Sequence, residues 1–114
     1  ARFALLGFRR DPGNAALVCK IIPSLPPALI QSRVAHVLGA DYSQILRHIR
    51  CPVLILHGTQ DLLVTSNYLK KLARLRPDAK ICRFEGPHML LQVKPAECAE
   101  EIVRFAARCN MDAA

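Results

Sequence analysis

The stretch PVLILHGTQD, residues 52–61, constrains the fold more than any other part of the chain. Four consecutive aliphatic residues, Val53–Leu56, exclude the alternation expected of a strand with one wet face. They fit a strand covered on both faces, as in the middle of a parallel sheet. Parallel strands need crossover connections, and the flanking sequence supplies helices for them. Upstream, Asp41 stands where a helix cap belongs, and Gln44 follows at the distance from which a side chain can reach back. The short helix so begun would turn Ile45, Leu46 and Ile49 inward and end at Pro52. Downstream, Thr65 or Ser66 caps a helix expected from about Asn67 to Leu75, with Leu69, Leu72, Ala73 and Leu75 set against Lys70, Lys71 and Arg74. Pro77-Asp78 turns the chain into a second strand, Ala79–Phe84. Lys80 and Arg83 interrupt its apolar character, as charges do on an edge strand. Pro95 opens the last helix at a position that tolerates its missing amide, and Ala99, Ile102, Val103 and Ala106 form the expected apolar stripe.

The first part of the chain reads differently. DPGN at 11–14 is a turn signal, and PSLPP at 23–27 is expected to forbid a regular helix across it. Between them Ala15–Ile22 suits helix or strand equally. From Ala28 the spacing of Ile30, Val34, Val37 and Leu38 predicts a helix that Gly39 ends. The division is therefore a helical, cap-like segment over 1–39 and an incomplete βαβα unit over 40–114. The fold class is α/β with about two parallel strands and flanking helices. Two strands leave hydrogen-bonding edges and faces uncovered, so the organisation reads as the last third of something larger. That the chain begins with Ala1 instead of Met agrees with this expectation.

Composition excludes several classes. With 52% hydrophobic and 22% charged residues the chain can build a core and is not disordered as a whole. No apolar run reaches the length of a membrane span, and ARFALLGFRRD lacks a signal-peptide cleavage site. The net charge of +7 is spread over Arg9, Arg10, Arg47, Arg50, Lys70, Lys71, Arg74, Arg76, Arg104 and Arg108. Only two Tyr and four Phe are present, and none interleaves with a basic cluster as a stacking platform would need, so solvated helix faces are expected and a nucleic-acid partner is not. Five cysteines at 19, 51, 82, 98 and 109 form no CxxC pair, and the histidines do not stand at zinc-ligand spacing from them. No cofactor or metal is expected. Cys51, Cys82 and Cys98 fall within apolar patterns, which implies buried, reduced thiols and a cytoplasmic setting.

In parallel α/β sheets, ligands bind beyond the carboxyl ends of the strands. Asp61 follows one such end, and His88, in EGPHMLLQVKP, follows the other. If the strands are neighbours, the two side chains converge across 88 − 61 = 27 residues. A carboxylate beside an imidazole fixes its tautomer and stabilises the imidazolium formed when the ring takes a proton. His57, at the strand exit under the site, is expected to be structural; His36 and His48 fall on helices without a signal. Leu90 and Leu91 are expected to pack, or to line a leaving-group pocket beside the base.

CPVLILHGTQD followed in order by EGPHMLLQVKP resembles the C-terminal part of an α/β-hydrolase, and ADYSQILRHIR resembles the helix leading into that family's late strand. The resemblance covers about residues 40–107. It implies Asp61 as triad acid, His88 as general base and a small-molecule acyl substrate such as an ester or thioester. It also implies a nucleophile before the acid in chain order. No G-x-S-x-G occurs here: Ser24, Ser32, Ser43 and Ser66 lack the flanking glycines, and there is no HGGG segment. The nucleophile and oxyanion amides are therefore expected from a missing N-terminal portion of the same fold, and the isolated chain is expected to be inactive. An aspartate nucleophile would make the parent a dehalogenase or epoxide hydrolase. A non-catalytic module that binds a complementary chain is the alternative from another class.

Overall fold

The computed structural model describes residues 12–112. Asp11 of the expected turn, with Arg9 and Arg10 before it, lies outside these described residues. The elements in order are α1 (Pro12–Ser24), α2 (Pro27–Gly39), α3 (Ser43–His48), β1 (Leu54–Gly58), α4 (Ser66–Leu75), β2 (Lys80–Phe84), α5 (Leu90–Val93) and α6 (Pro95–Asp112). The mixed α/β architecture has a two-stranded sheet, with β1 and β2 parallel and in register from Leu54↔Lys80 to Gly58↔Phe84. One crossover, through α4, joins them. Backbone bonds extend the ladder at both ends: the Lys80 amide donates to the Val53 carbonyl (2.9 Å) and the Thr59 amide to the Phe84 carbonyl (2.8 Å).

Several local expectations need correction. The Pro12–Asn14 part of the expected turn opens α1 instead, because proline is compatible with a first helical turn. The break expected across 23–27 is present: α1 runs through Pro23 to Ser24, the chain leaves the helix at Leu25-Pro26, and α2 begins at Pro27. The segment that suited helix or strand is helical. α2 does end at Gly39 as expected, and Ala40 after it is extended (φ −85°, ψ 123°), so the end carries no left-handed cap. Asp41 does not form a capping box. Its Oδ1 accepts from the Ser43 amide at 2.9 Å from one residue before the N-cap, Tyr42, which makes no side-chain cap bond.

Burial departs further from the sequence pattern. The strand expected to be covered on both faces is half-buried over Leu54–Leu56, since two strands and the helices beside them do not enclose it. No residue of α2 is buried, and Val37 and Leu38 are 71% and 82% exposed. Ile45 is exposed and Cys51 lies at the surface. On α6 the expected stripe faces solvent, with Val103 68% exposed. The inward row is Cys98, Glu101 and Phe105, a spacing of three and four residues that points to the sheet. Glu101 accepts from Lys80 Nζ (2.8 Å) and Cys82 Sγ (3.3 Å) on β2, and is also bonded by Arg104. A carboxylate thus occupies a position on the helix where an apolar residue would be looked for.

The buried apolar residues are few: Leu69 on α4, Pro87 and Leu90 after β2, Cys98 on α6 and Val18 on α1. The radius of gyration is 16.2 Å, against about 13 Å for a compact domain of this length. Among the described residues no helix is long and apolar enough to cross a membrane.

Candidate active site

The site begins with a glycine at the end of β1. A Cβ on Gly58 would stand 2.4 Å from the Gly86 carbonyl oxygen and 2.5 Å from that of Pro87, so the loop after β2 lies directly against it. Only a residue without a side chain permits this approach. The Gln60 amide donates to the Gly86 carbonyl at 2.9 Å, tying the two loops together. Leu90 closes the arrangement from below: it is buried, and its Cδ1 would meet a Cβ on Gly86 at 2.9 Å. Leu91, by contrast, is exposed. No sequence motif links the two glycines; the available signal is that Gly58 ends one strand and Gly86 follows the other by two residues.

From Gly58 the chain turns back, with the Asp61 amide donating to the Gly58 carbonyl at 3.0 Å. The turn presents the Asp61 carboxylate to two amides ahead of it: Leu63 and Val64 each donate to Oδ1 at 2.8 Å. This is the local bonding that makes aspartate favourable in turns. Oδ1 is thereby fixed, and Oδ2 is left for another donor.

That donor is His88. Its Nδ1 stands 2.9 Å from Asp61 Oδ2. The Asp61 side chain is 7% exposed and that of His88 36% exposed, so the carboxylate lies beneath and the ring reaches solvent. Burial pushes the Asp61 carboxyl up, but the Val64 amide, the His88 ring and the Leu63 amide outweigh it and hold the group below its ordinary value. With Asp61 ionised, Nδ1 is the protonated nitrogen and Nε2 carries the lone pair. Nε2 stands across the ring from the carboxylate, and its lone pair can take a proton from an incoming group.

The other expected residues lie apart. His57 is buried at the end of β1, and its Nε2 is 2.8 Å from the Val64 carbonyl. His48 Nδ1 is 2.7 Å from the Gln44 carbonyl on α3, and His36 is exposed on α2. Ser24 donates to the Ile21 carbonyl, and Ser66 accepts from Arg83 at 3.2 Å. Among the described residues no serine, threonine or cysteine is bonded to His88. All five cysteines are free thiols. No group of three or more His, Cys, Asp or Glu side chains among the described residues could hold a metal ion.

Chemically, the arrangement is an oriented base: an ionised carboxylate locked by two amides, an imidazole held by it, and a second ring nitrogen with its lone pair on the far side. Comparison of the chain with protein-family models, with curated proteins and with solved structures gave no match.

Proposed function

We propose that this chain supplies the acid and the base of a serine-type α/β-hydrolase that cleaves an ester, thioester or related acyl bond. The observation that carries the reading is the 2.9 Å contact between Asp61 Oδ2 and His88 Nδ1 beyond the carboxyl ends of two adjacent parallel strands. Asp61 before His88 is the family's chain order, and the surrounding segments resemble its late strands. In the reaction, a nucleophilic hydroxyl from outside these 114 residues attacks the acyl carbon. His88 Nε2 takes the hydroxyl proton and then delivers it to the leaving group as that group's bond to the acyl carbon breaks. Water, deprotonated by the same nitrogen, then frees the acyl group as the acid, and the proton returns to the nucleophile's oxygen. Asp61 holds the ring and stabilises the imidazolium each time it forms, while keeping its own charge. A cytoplasmic setting is part of this proposal; the odd number of cysteines and the lack of a CxxC pair support it.

The test is hydrolysis of nitrophenyl acyl esters by a polypeptide uniting these residues with the nucleophile-bearing portion. His88→Ala removes the base. Asp61→Asn puts an amide donor against Nδ1 and so moves the ring proton to Nε2, the wrong tautomer. Asp61→Asn is expected to lower kcat by about 10⁴-fold, and His88→Ala by about 10⁶-fold. Near wild-type turnover in either variant removes that residue from the mechanism. The 114-residue chain alone is expected to give no turnover above free imidazole, and robust activity there would refute the need for an outside nucleophile.

The second reading, a non-catalytic module that binds a complementary chain, is favoured by one observation. Val37, Leu38 and Val103 are more than two-thirds exposed, and β1 and β2 each have one edge without a strand partner among the described residues. Association with such a chain, without any effect of His88→Ala on the function of the complex, would decide for this reading.

A further inference from the structure

The buried histidine beneath the site has a role that its position at the strand exit does not by itself reveal. His57 is 4% exposed, and its Nε2 lies 2.8 Å from the Val64 carbonyl. A carbonyl oxygen only accepts, so Nε2 carries the proton. Nδ1 is buried and has no partner in the described structure. A proton there would be an unsatisfied buried donor, so the ring is the neutral Nε2–H tautomer with Nδ1 as a bare lone pair.

Val64 is the residue at which this bond meets the site. Its carbonyl is held by His57, and its amide is one of the two donors that fix Asp61 Oδ1, at 2.8 Å. The other donor, Leu63, precedes it directly. The 59–64 turn is otherwise exposed at Thr59, Gln60, Leu62 and Leu63, with Leu62 and Leu63 more than half exposed. Its far end therefore gains little from packing, and the His57–Val64 bond anchors it to β1. Without that anchor Val64 is free to swing, its amide leaves Oδ1, and the carboxylate can rotate away from His88.

We infer that His57 is a positioning residue for the Asp61–His88 pair, acting through the peptide groups of Val64. The inference rests on the proposed catalytic use of that pair, but the anchoring itself is readable without catalysis.

The experiment uses the whole chain and proton NMR. A histidine Nδ1–H bonded to a carboxylate is shielded from exchange and resonates far downfield, and Asp61→Asn identifies the signal by removing it. Three changes at His57 then separate bonding from bulk. In His57→Gln the amide nitrogen of the new side chain can occupy the place of Nε2 and donate to Val64, so the signal is kept. In His57→Asn the amide nitrogen reaches only as far as Nδ1, where there is no acceptor, and the signal is lost. His57→Leu fills the space without a donor and also loses it. Should the leucine variant fail to fold, the Gln and Asn pair carries the comparison alone, since both are polar and smaller than the ring. Retention of the signal in His57→Asn, or its loss in His57→Gln, overturns the inference while leaving the pair intact. Absence of the signal from the wild-type chain overturns the pair, and the positioning role with it.

Discussion

Gly58 and Gly86 meet backbone to backbone: a methyl group on Gly58 would stand 2.4 Å from the Gly86 carbonyl oxygen. The same carbonyl accepts the Gln60 amide at 2.9 Å, so the two loops are both pressed and bonded together at one point. That approach sets the loop carrying His88 against the loop carrying Asp61. The atoms in the way belong to the main chain, and no rotamer change relieves the clash.

Gly58→Ala is accordingly expected to destabilise the chain by about 2–3 kcal/mol, the scale of overpacking at a site that cannot yield. Urea denaturation monitored by circular dichroism measures it. The variant should also lose the downfield His88 signal before it loses helix content, because the loops part first. A midpoint equal to that of the wild type would show that the loops can separate at no cost.

Acid should weaken the fold partly through Asp61. Burial raises its pKa, but the Val64, His88 and Leu63 bonds lower it further, and the net value lies below that of an ordinary aspartate. A carboxyl whose folded value is depressed contributes stability that is fully present above its unfolded value and is lost as pH falls through the folded one. Asp41, Asp78, Glu97 and Glu101 are also held low, so the wild-type acid limb is a sum. The measurement is therefore a difference: wild-type stability minus that of Asp61→Asn, by denaturant midpoint. The difference should shrink as pH falls from about 5 towards 2. A difference constant over that range would mean that Asp61 has the same affinity for protons folded and unfolded.

Arg76 holds the approach to β1. From the end of α4 its guanidinium donates to the carbonyls of Leu46, Ile49 and Cys51, and to Asp78 through Nε at 2.6 Å. Leu46 and Ile49 carry carbonyls at the end of α3, which a cation and its donors satisfy well. Arg76→Ala should speed amide exchange across Ser43–His48 while leaving that of α6 near its wild-type rate. Arg76→Lys should rescue little, because an ammonium is a point donor and the three carbonyls need a planar fork. Equal exchange in wild type and Arg76→Lys would show that charge alone suffices.

Local signals in the chain decided much of this protein. Aliphatic runs bounded by Pro and Gly are short-range instructions, so both strands, α4 and the start of α6 at Pro95 were readable, as was the placing of Asp61 and His88 after strand ends. The parallel pairing then followed from the helix between the strands. Other features depend on atoms distant in sequence. Which face of α6 turns inward was decided by Lys80 and Cys82 reaching Glu101, so Cys98 is buried and the more apolar Val103 is not. Pro23 lies inside α1, one residue before its end, so the exact point at which the helix stops was not set by the proline alone.

Residue types and their order were thus enough to nominate an acid and a base on neighbouring loops. Their meeting at 2.9 Å needed a glycine-to-glycine contact between residues 58 and 86 that no short window of sequence contains, whereas the two amides on Asp61 and the imidazole bonded to Val64 are local and only aim the carboxylate. The physical reason is range. Helix and strand preferences act over a few residues, whereas a shared hydrogen bond between segments 27 residues apart exists only once the sheet has brought their ends together.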